Sequence, residues 1–218
     1  MDRVFFGAMA IVCGATILGG FVPTFFLRSA LSPGARPLAP LVVAHGTVFT
    51  LWVLLYVAQT ALIAAGRRGM HRALGVTGGL AAAAAFAIGV PMIAAFERTH
   101  GAEAPFTLAV HAFANGGPLT LFALFAIAGV LCRRTPDVHK RLMLFATLAL
   151  QPAGFSRLIG YLGIGPWLNV PFFGVLCASV LAYDWCVDRR VRPVTLLGTL
   201  LLFGTVYGTD LLFMQIEP

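Results

Sequence analysis

Long apolar segments separated by short polar stretches dominate the chain. Each has about the 20 residues, or more, that an α-helix rising ~1.5 Å per residue needs to cross a hydrocarbon core of ~30 Å. The segments are residues 4–27, 41–65, 73–96, 105–132, 142–163, 167–187 and 193–213. The pattern predicts an all-α, polytopic membrane bundle of about seven transmembrane helices. We expect one integral membrane domain, residues 1–218, with the lipid bilayer as its partner.

Proline and glycine occur within these apolar segments. Neighbouring helices can satisfy the backbone groups that an intramembrane proline frees, so Pro23, Pro91, Pro118 and Pro152 predict kinks rather than helix ends. Small residues let membrane helices approach each other closely. Close approach is therefore expected at the glycine pairs 19–20, 78–79 and 116–117.

The composition excludes an ordinary water-soluble domain. Of 218 residues, 59% are hydrophobic and 11% are charged, whereas a soluble domain carries roughly 25% charged residues. The formal net charge is +7, but the basic residues lie in short loops between apolar segments, which points to membrane topology. No basic segment is interleaved with aromatic residues in the way a nucleic-acid groove requires, so no nucleic-acid partner is expected.

The basic residues concentrate in the second, fourth and sixth loops. The basic residues in or beside these loops are Arg67, Arg68, Arg72, Arg133, Arg134, Lys140, Arg141, Arg189, Arg190 and Arg192. The loop at residues 97–104 is not basic overall. Because positively charged loops stay in the cytoplasm, the pattern predicts a cytoplasmic N-terminus and a periplasmic C-terminus.

An internal repeat covers the middle of the chain. Residues 45–75 and 111–143 each begin with histidine, continue through an apolar helix to Arg-Arg, and then reach a second histidine followed by a basic residue. Duplicated helix pairs are a common way to build a bundle around a central site. Helices two to five, residues 41–163, are therefore the predicted pseudo-repeated core.

Four of the five histidines form two candidate metal-binding pairs. His45 and His111 lie near the outer ends of helices two and four, and His71 and His139 lie at the inner ends of helices three and five. Two imidazoles facing each other across a bundle are typical of bis-histidine haem ligation. The alternatives are another metal, a quinone-type ligand, or a structural or lipid-contact role. His100, in the outer loop, is expected to be a solvated residue.

Other polar side chains within or beside the spans are candidates for cofactor contact, because such groups are costly in lipid. Arg72, Lys140 and Arg141 could hold haem propionates or could anchor the inner face. Arg157 could pair with a propionate, a lipid phosphate or Asp210, or it could extend to the interface. The remaining polar candidates in the spans are Gln59, Asn115, Gln151, Asp184 and Asp188.

Two resemblances bear on these residues. Residues 69–75 (GMHRALG) and 139–143 (HKRLM) resemble phrases of a bacterial family of multi-pass membrane proteins without assigned function. That resemblance implies a bacterial inner membrane but no activity. The two-pair histidine layout is similar to that of the ascorbate-reducible di-haem b-type cytochromes, in which helices two and four ligate one haem and helices three and five the other. It implies His45 with His111, His71 with His139, and one or two haem b groups.

The leading hypothesis is a haem-b membrane protein that moves electrons between a quinone or small reductant and an acceptor. The rival hypothesis is a non-redox membrane protein, either an accessory subunit of a larger membrane complex or a small-molecule transporter. The sequence leaves open whether the protein is an enzyme, since no motif of a soluble catalyst is present. The four cysteines, which form no CxxC pair, are expected to be packing residues.

Overall fold

Helices account for almost all of the residues that the computed structural model describes, which are 1–99 and 105–214. The helices are α1 Asp2–Phe21, continued by a π-helical turn Val22–Phe26, α2 Arg28–Leu31, α3 Pro40–Ala64, α4 Arg68–Thr99, α5 Pro105–Leu131, α6 Pro136–Ala149, α7 Gln151–Tyr161, a 3₁₀ turn Pro166–Leu168, α8 Asn169–Asp188 and α9 Pro193–Phe213. The expectation for His100 lies outside the described residues.

The predicted polytopic bundle is confirmed. Within the described residues, six helices are long and apolar enough to cross a membrane, and α6 and α7 together supply a seventh span if the bend between them is counted as one crossing. The outward faces carry exposed leucines, such as Leu196, Leu197 and Leu200 on α9, which suit contact with lipid. The predicted helices two, three and four are α3, α4 and α5, the fifth is α6 with α7, and the last two are α8 and α9.

The intramembrane prolines have different effects. Pro91 and Pro118 lie inside the unbroken helices α4 and α5. Pro152 instead lies in the first turn of α7, just after a bend of 42° between α6 and α7. The Leu150 amide donates a hydrogen bond to the Thr147 carbonyl, three residues earlier, at 3.1 Å. Proline at position 152 has no N–H with which to continue the helical hydrogen bonds. The expected kink is therefore a break between two helices.

Helix α6 forms the centre of the bundle. The helical repeat folds as two hairpins, α3 with α4 and α5 with α6, and α4 packs on α5. Helices α1, α5 and α9 pack around α6, while α1 also contacts α3 and α7. The fully buried side chains on α6 include Leu144, Phe145 and Leu148. The deepest apolar core of the molecule is consequently built around the residues just after His139.

Three basic segments and the N-terminus lie at one end of the bundle. Lys140 Nζ lies 2.5 Å from the Asp2 carboxylate, and Arg192 lies 3.5 Å from Asp137. The His71 ring contacts the His139 ring, which places the loop before α4 at the same end. The three basic loops therefore lie on one side of the bundle, as the alternation of charged and uncharged loops predicts.

A glycine pair brings α1 and α7 into close contact. A Cβ atom on Gly154 would lie 2.5 Å from the Ile17 Cα, and a Cβ atom on Gly20 would collide with the Gly154 carbonyl. The expected close approach is thus found at Gly20. In contrast, a Cβ atom at Gly78 or Gly79 would meet nothing within 4 Å, so that pair does not mediate a helix contact among the described residues.

We predict that Gly154→Ala destabilises the protein in detergent by about 1–3 kcal/mol, because the new methyl group meets backbone that must shift. Gly78→Ala is the matched control. It adds the same methyl group within a helix and meets open space, so it should be neutral or stabilising by about 0.5–1 kcal/mol. Unfolding of the two variants in the same detergent measures the difference. Equal stabilities would show that α1 and α7 do not depend on this contact.

Candidate functional site

The imidazoles of His71 and His139 meet at the basic end of the bundle, which the loop charges predict to be the inner end. Each histidine is the fourth residue of a helix, α4 or α6. Helix α4 begins at the second arginine of an Arg-Arg pair, and α6 begins two residues after such a pair. The ring centroids are 6.2 Å apart, and the ring planes are nearly perpendicular at 83°. The two equivalent positions of the repeat thus approach each other across the two hairpins.

A backbone carbonyl fixes the orientation of the His139 ring. Nδ1 of His139 lies 2.8 Å from the Gly129 oxygen on α5. Because a carbonyl oxygen only accepts hydrogen bonds, Nδ1 must donate. In the neutral imidazole, Nε2 then carries the lone pair and is available as a ligand atom. Metal-binding histidines usually have a partner of this kind on the other ring nitrogen.

His71 has one ring nitrogen without a partner. Its Nδ1 is buried and makes no hydrogen bond within the described protein, while the ring interacts with the backbone of Gln59 on α3. The Gln59 Oε1 atom is also buried and unpartnered. This amide lies beside Gly75 of α4, where a Cβ atom would be in ordinary van der Waals contact with the Gln59 Nε2 atom at 3.7 Å. Buried polar atoms without partners call for an explanation, and a bound ligand is one.

The donor set fits a metal that takes two protein ligands. Among the described residues, no group of three or more His, Cys, Asp or Glu side chains could hold a metal ion, which disfavours a structural zinc site with its four protein ligands. Two imidazole nitrogens at about 2 Å from one metal would place the ring centres roughly 6 Å apart. The observed centroid separation of 6.2 Å is close to this value, so the spacing of the two rings is compatible with bis-histidine haem ligation.

The outer histidines have different neighbours. The His45 ring lies 4.5 Å from the Phe49 ring on its own helix, and its buried Nδ1 has no hydrogen-bond partner. The His111 ring lies 5.4 Å from Phe213 of α9. Ring contacts between described residues join His71 with His139 but do not join His45 with His111. The structure therefore brings together the inner pair of predicted ligands.

Lys140 and Arg141 are engaged in ion pairs. Lys140 contacts Asp2 at 2.5 Å and Asp137 at 2.7 Å. Arg141, only 1% exposed, donates from Nε to Asp184 Oδ1 at 2.9 Å and from its terminal nitrogens to Asp184 and the Asp137 carbonyl. These carboxylates pair with two of the four cations that were candidates for propionate contact. Arg72, beside His71 in the first turn of α4, is exposed.

The outer candidates Arg157 and Asn115 contact nearby parts of the protein. Arg157 donates to the Ala153 carbonyl at 2.7 Å and lies over the Phe21 ring, 4.9 Å from its centroid. It also lies within electrostatic range of His45. The exposed Asn115 side chain donates to the His111 carbonyl, 2.8 Å away on its own helix. Hydrogen bonds to the local helix backbone are the usual state of such polar groups in membrane helices.

Sequence reasoning missed the partner of Arg141 and one buried amide. Asp184, 0% exposed, lies 43 positions beyond Arg141 in the chain. An acidic residue at a span end signals a buried charge, but only the packing of α8 on the bundle identifies its partner. Asn169 was not singled out, although its Oδ1 atom is buried without a partner at the start of α8. A polar residue at the start of an apolar span is the only signal it offers.

We predict that Arg141→Met and Asp184→Leu each lower the free energy of unfolding by about 3–5 kcal/mol, because each leaves a buried charge without its partner. The double variant should be more stable than either single variant, since it removes both charges. Denaturant unfolding of the four proteins in one detergent measures these differences. Losses that simply add in the double variant would mean that the two side chains are not coupled.

No family model, curated protein or solved structure matches this chain. The function proposed below is supported by the residues and geometry of the chain alone.

Proposed function

We propose that the protein is a membrane-embedded b-type haem protein in which His71 and His139 ligate a haem near the inner face. The observation that carries this proposal is the 6.2 Å separation of two nearly perpendicular imidazole rings. The Gly129 carbonyl holds Nδ1 of His139, which leaves Nε2 as the ligand atom of that ring. The buried Nδ1 of His71 has no hydrogen-bond partner in the described protein. Bis-histidine ligation between the helices of a bundle is an established way to hold haem b.

The surroundings support haem over a hard metal ion. Magnesium and calcium take oxygen ligands, and the two imidazoles offer nitrogen. The helix ends beside the pair belong to an apolar bundle, which suits a large hydrophobic cofactor. Copper in a two-coordinate state would also accept two imidazoles, so the experiment must separate haem from copper.

Each protein group near the pair has a definite role in this proposal. The Gly129 carbonyl keeps the His139 proton on Nδ1 and directs Nε2 away from α5. The Arg141–Asp184 pair anchors α6 two residues after His139 and so fixes the position of that ligand. Arg72 is the exposed cation beside His71 that could contact a propionate. A bound haem supplies a one-electron redox couple, tuned by its ligands and burial.

The finer parts of the hypothesis follow from this site. We propose that the basic end of the bundle faces the cytoplasm of a bacterial inner membrane, because positively charged loops stay inside. A quinone or small reductant is the proposed electron donor. A second haem between His45 and His111 remains a prediction from the layout of the sequence.

One observation favours the rival, a transporter. Helices α6 and α7 meet at a break inside a predicted span, and the buried polar residue Gln151 lies at that break. Interrupted membrane helices often form the binding sites of transporters. The haem assay below separates the two functions, since a transporter needs no redox cofactor.

We predict that protein expressed with ample haem supply shows a Soret band and a sharp reduced α-band, with about one haem per chain. His71→Ala and His139→Ala should each abolish this low-spin spectrum, because each removes an axial ligand. His45→Ala and His111→Ala are the matched controls and should keep the inner haem. His139→Met should retain haem and raise its midpoint potential, because methionine–histidine ligation raises the potential.

Gel filtration and circular dichroism of the variants check that lost haem does not reflect lost folding. Elemental analysis for copper and iron identifies the metal. A folded, colourless wild-type protein that takes up no haem on reconstitution would contradict the proposal, and copper at one per chain would replace haem. A spectrum lost in the outer variants but kept in the inner ones would move the haem to the outer pair.

A further inference from the structure

The break between α6 and α7 contains a fully buried amide whose orientation is determined by its hydrogen bonds. Gln151 is 0% exposed, and its Nε2 atom donates to the Thr16 hydroxyl on α1. The Thr16 hydroxyl in turn donates to the Val12 carbonyl at 2.7 Å. Because the single hydroxyl proton of Thr16 is already donated to Val12, the hydroxyl oxygen can only accept a hydrogen bond from Gln151. The Gln151 side-chain nitrogen therefore faces α1, and Oε1 faces the other way.

The Oε1 atom of Gln151 has no partner in the described protein, and neither does a second amide oxygen nearby. Asn169 is the first residue of α8, and its buried Oδ1 atom makes no hydrogen bond. Both residues line one cavity of about 10 Å³. The other residues around that cavity are Pro152, Phe155, Phe172, Phe173 and Val206.

The chemistry of this cavity specifies its occupant. Two amide oxygens accept hydrogen bonds, while the other side chains around the cavity are apolar and offer no donor. A buried acceptor without a donor is unfavourable in a medium of low dielectric constant. A cavity of roughly 10–15 Å³ holds one water molecule. A hard metal cation would need about six oxygen ligands, and a larger donor molecule would not fit.

We propose that a single buried water molecule donates its two protons to Gln151 Oε1 and Asn169 Oδ1. It links the start of α7 to the start of α8 beside the break, while the Gln151–Thr16 hydrogen bond links α7 to α1. Pro152 removes one helical donor at the same place, so the break depends on side chains and water for its polar contacts. This site is separate from the inner histidines, and its occupancy does not depend on haem.

Hydroxyl-radical footprinting by X-ray radiolysis, with mass spectrometry in ¹⁸O-labelled water, tests the proposal on the full chain in detergent. Radicals formed from bound water oxidise the side chains beside it even where these are buried. Phe173, 2% exposed, borders the cavity, while Phe122 and Phe145 are equally buried and do not line it. We expect Phe173 to be labelled several-fold faster than the two control phenylalanines.

Two variants assign the water to the amides. Asn169→Leu removes one acceptor and leaves the Gln151–Thr16 hydrogen bond intact, and Gln151→Met removes the other acceptor. Each should reduce Phe173 labelling to the level of Phe122, while the labelling of Phe145 stays unchanged and reports that the core is intact.

Wild-type labelling of Phe173 that does not exceed that of the controls would overturn the proposal, whether or not either variant folds. Labelling that persists in both folded variants would also overturn it, because the water would then not depend on the two amides. A wild-type protein that shows no such labelling but is stabilised by sodium or potassium would replace the water with a cation.

Discussion

The buried pair of Arg141 and Asp184 is the interaction on which the inner half of the molecule depends. Neither side chain has more than 1% of its surface exposed, and Asp184 Oδ2 also accepts the Arg192 backbone amide at 3.0 Å. The Asp184 carboxylate, near the end of α8, thus binds both the start of α6 and the turn into α9. Charges at such a depth persist only when each is paired and hydrogen-bonded, so these three segments are held in one arrangement.

Because of this arrangement, two of the cations near the candidate ligands stabilise the fold and are already paired with carboxylates of the protein. Arg141 and Lys140 follow His139 directly, but their charges are neutralised by protein carboxylates. They hold the helix that presents a candidate ligand, and they are not open positions for an anion. His139 is accordingly oriented from two sides, by the ion pair on α8 and by the Gly129 carbonyl on α5.

The repeat explains why the inner histidines meet. His71 and His139 each lie in the first turn of a helix that begins at or just after an Arg-Arg pair, so the hairpin geometry itself sets their positions. His45 and His111 lie at the open ends of the hairpins, where no short turn joins the two helices. His45 lies against Phe49, and His111 lies against Phe213. Equivalent sequence positions therefore have different surroundings at the two faces.

The sequence predicted the features that depend on local composition. The length of the apolar segments predicted the spans, and the loop charges predicted which loops share an end of the bundle. The features that depend on packing between helices could not be predicted from the sequence. Gly20 and Gly78 belong to similar pairs, yet only Gly20 meets another backbone. Asp184 and Arg141 are distant in the chain, and Pro152 ends a helix where Pro91 does not.

Helix α1 compensates for the break that Pro152 accompanies. It runs in the same direction as α6 and α7 and contacts them in sequence order. Asp2 binds Lys140 at the inner end, Thr16 accepts from Gln151 at the break, and Gly20 meets Gly154 beyond it. An interrupted membrane helix has backbone groups that must find partners elsewhere. A continuous neighbour that binds both halves keeps their relative position fixed despite the missing hydrogen bonds. The inner end of α6, with its candidate ligand, is consequently held by α1 and α8 and does not depend on continuity with α7.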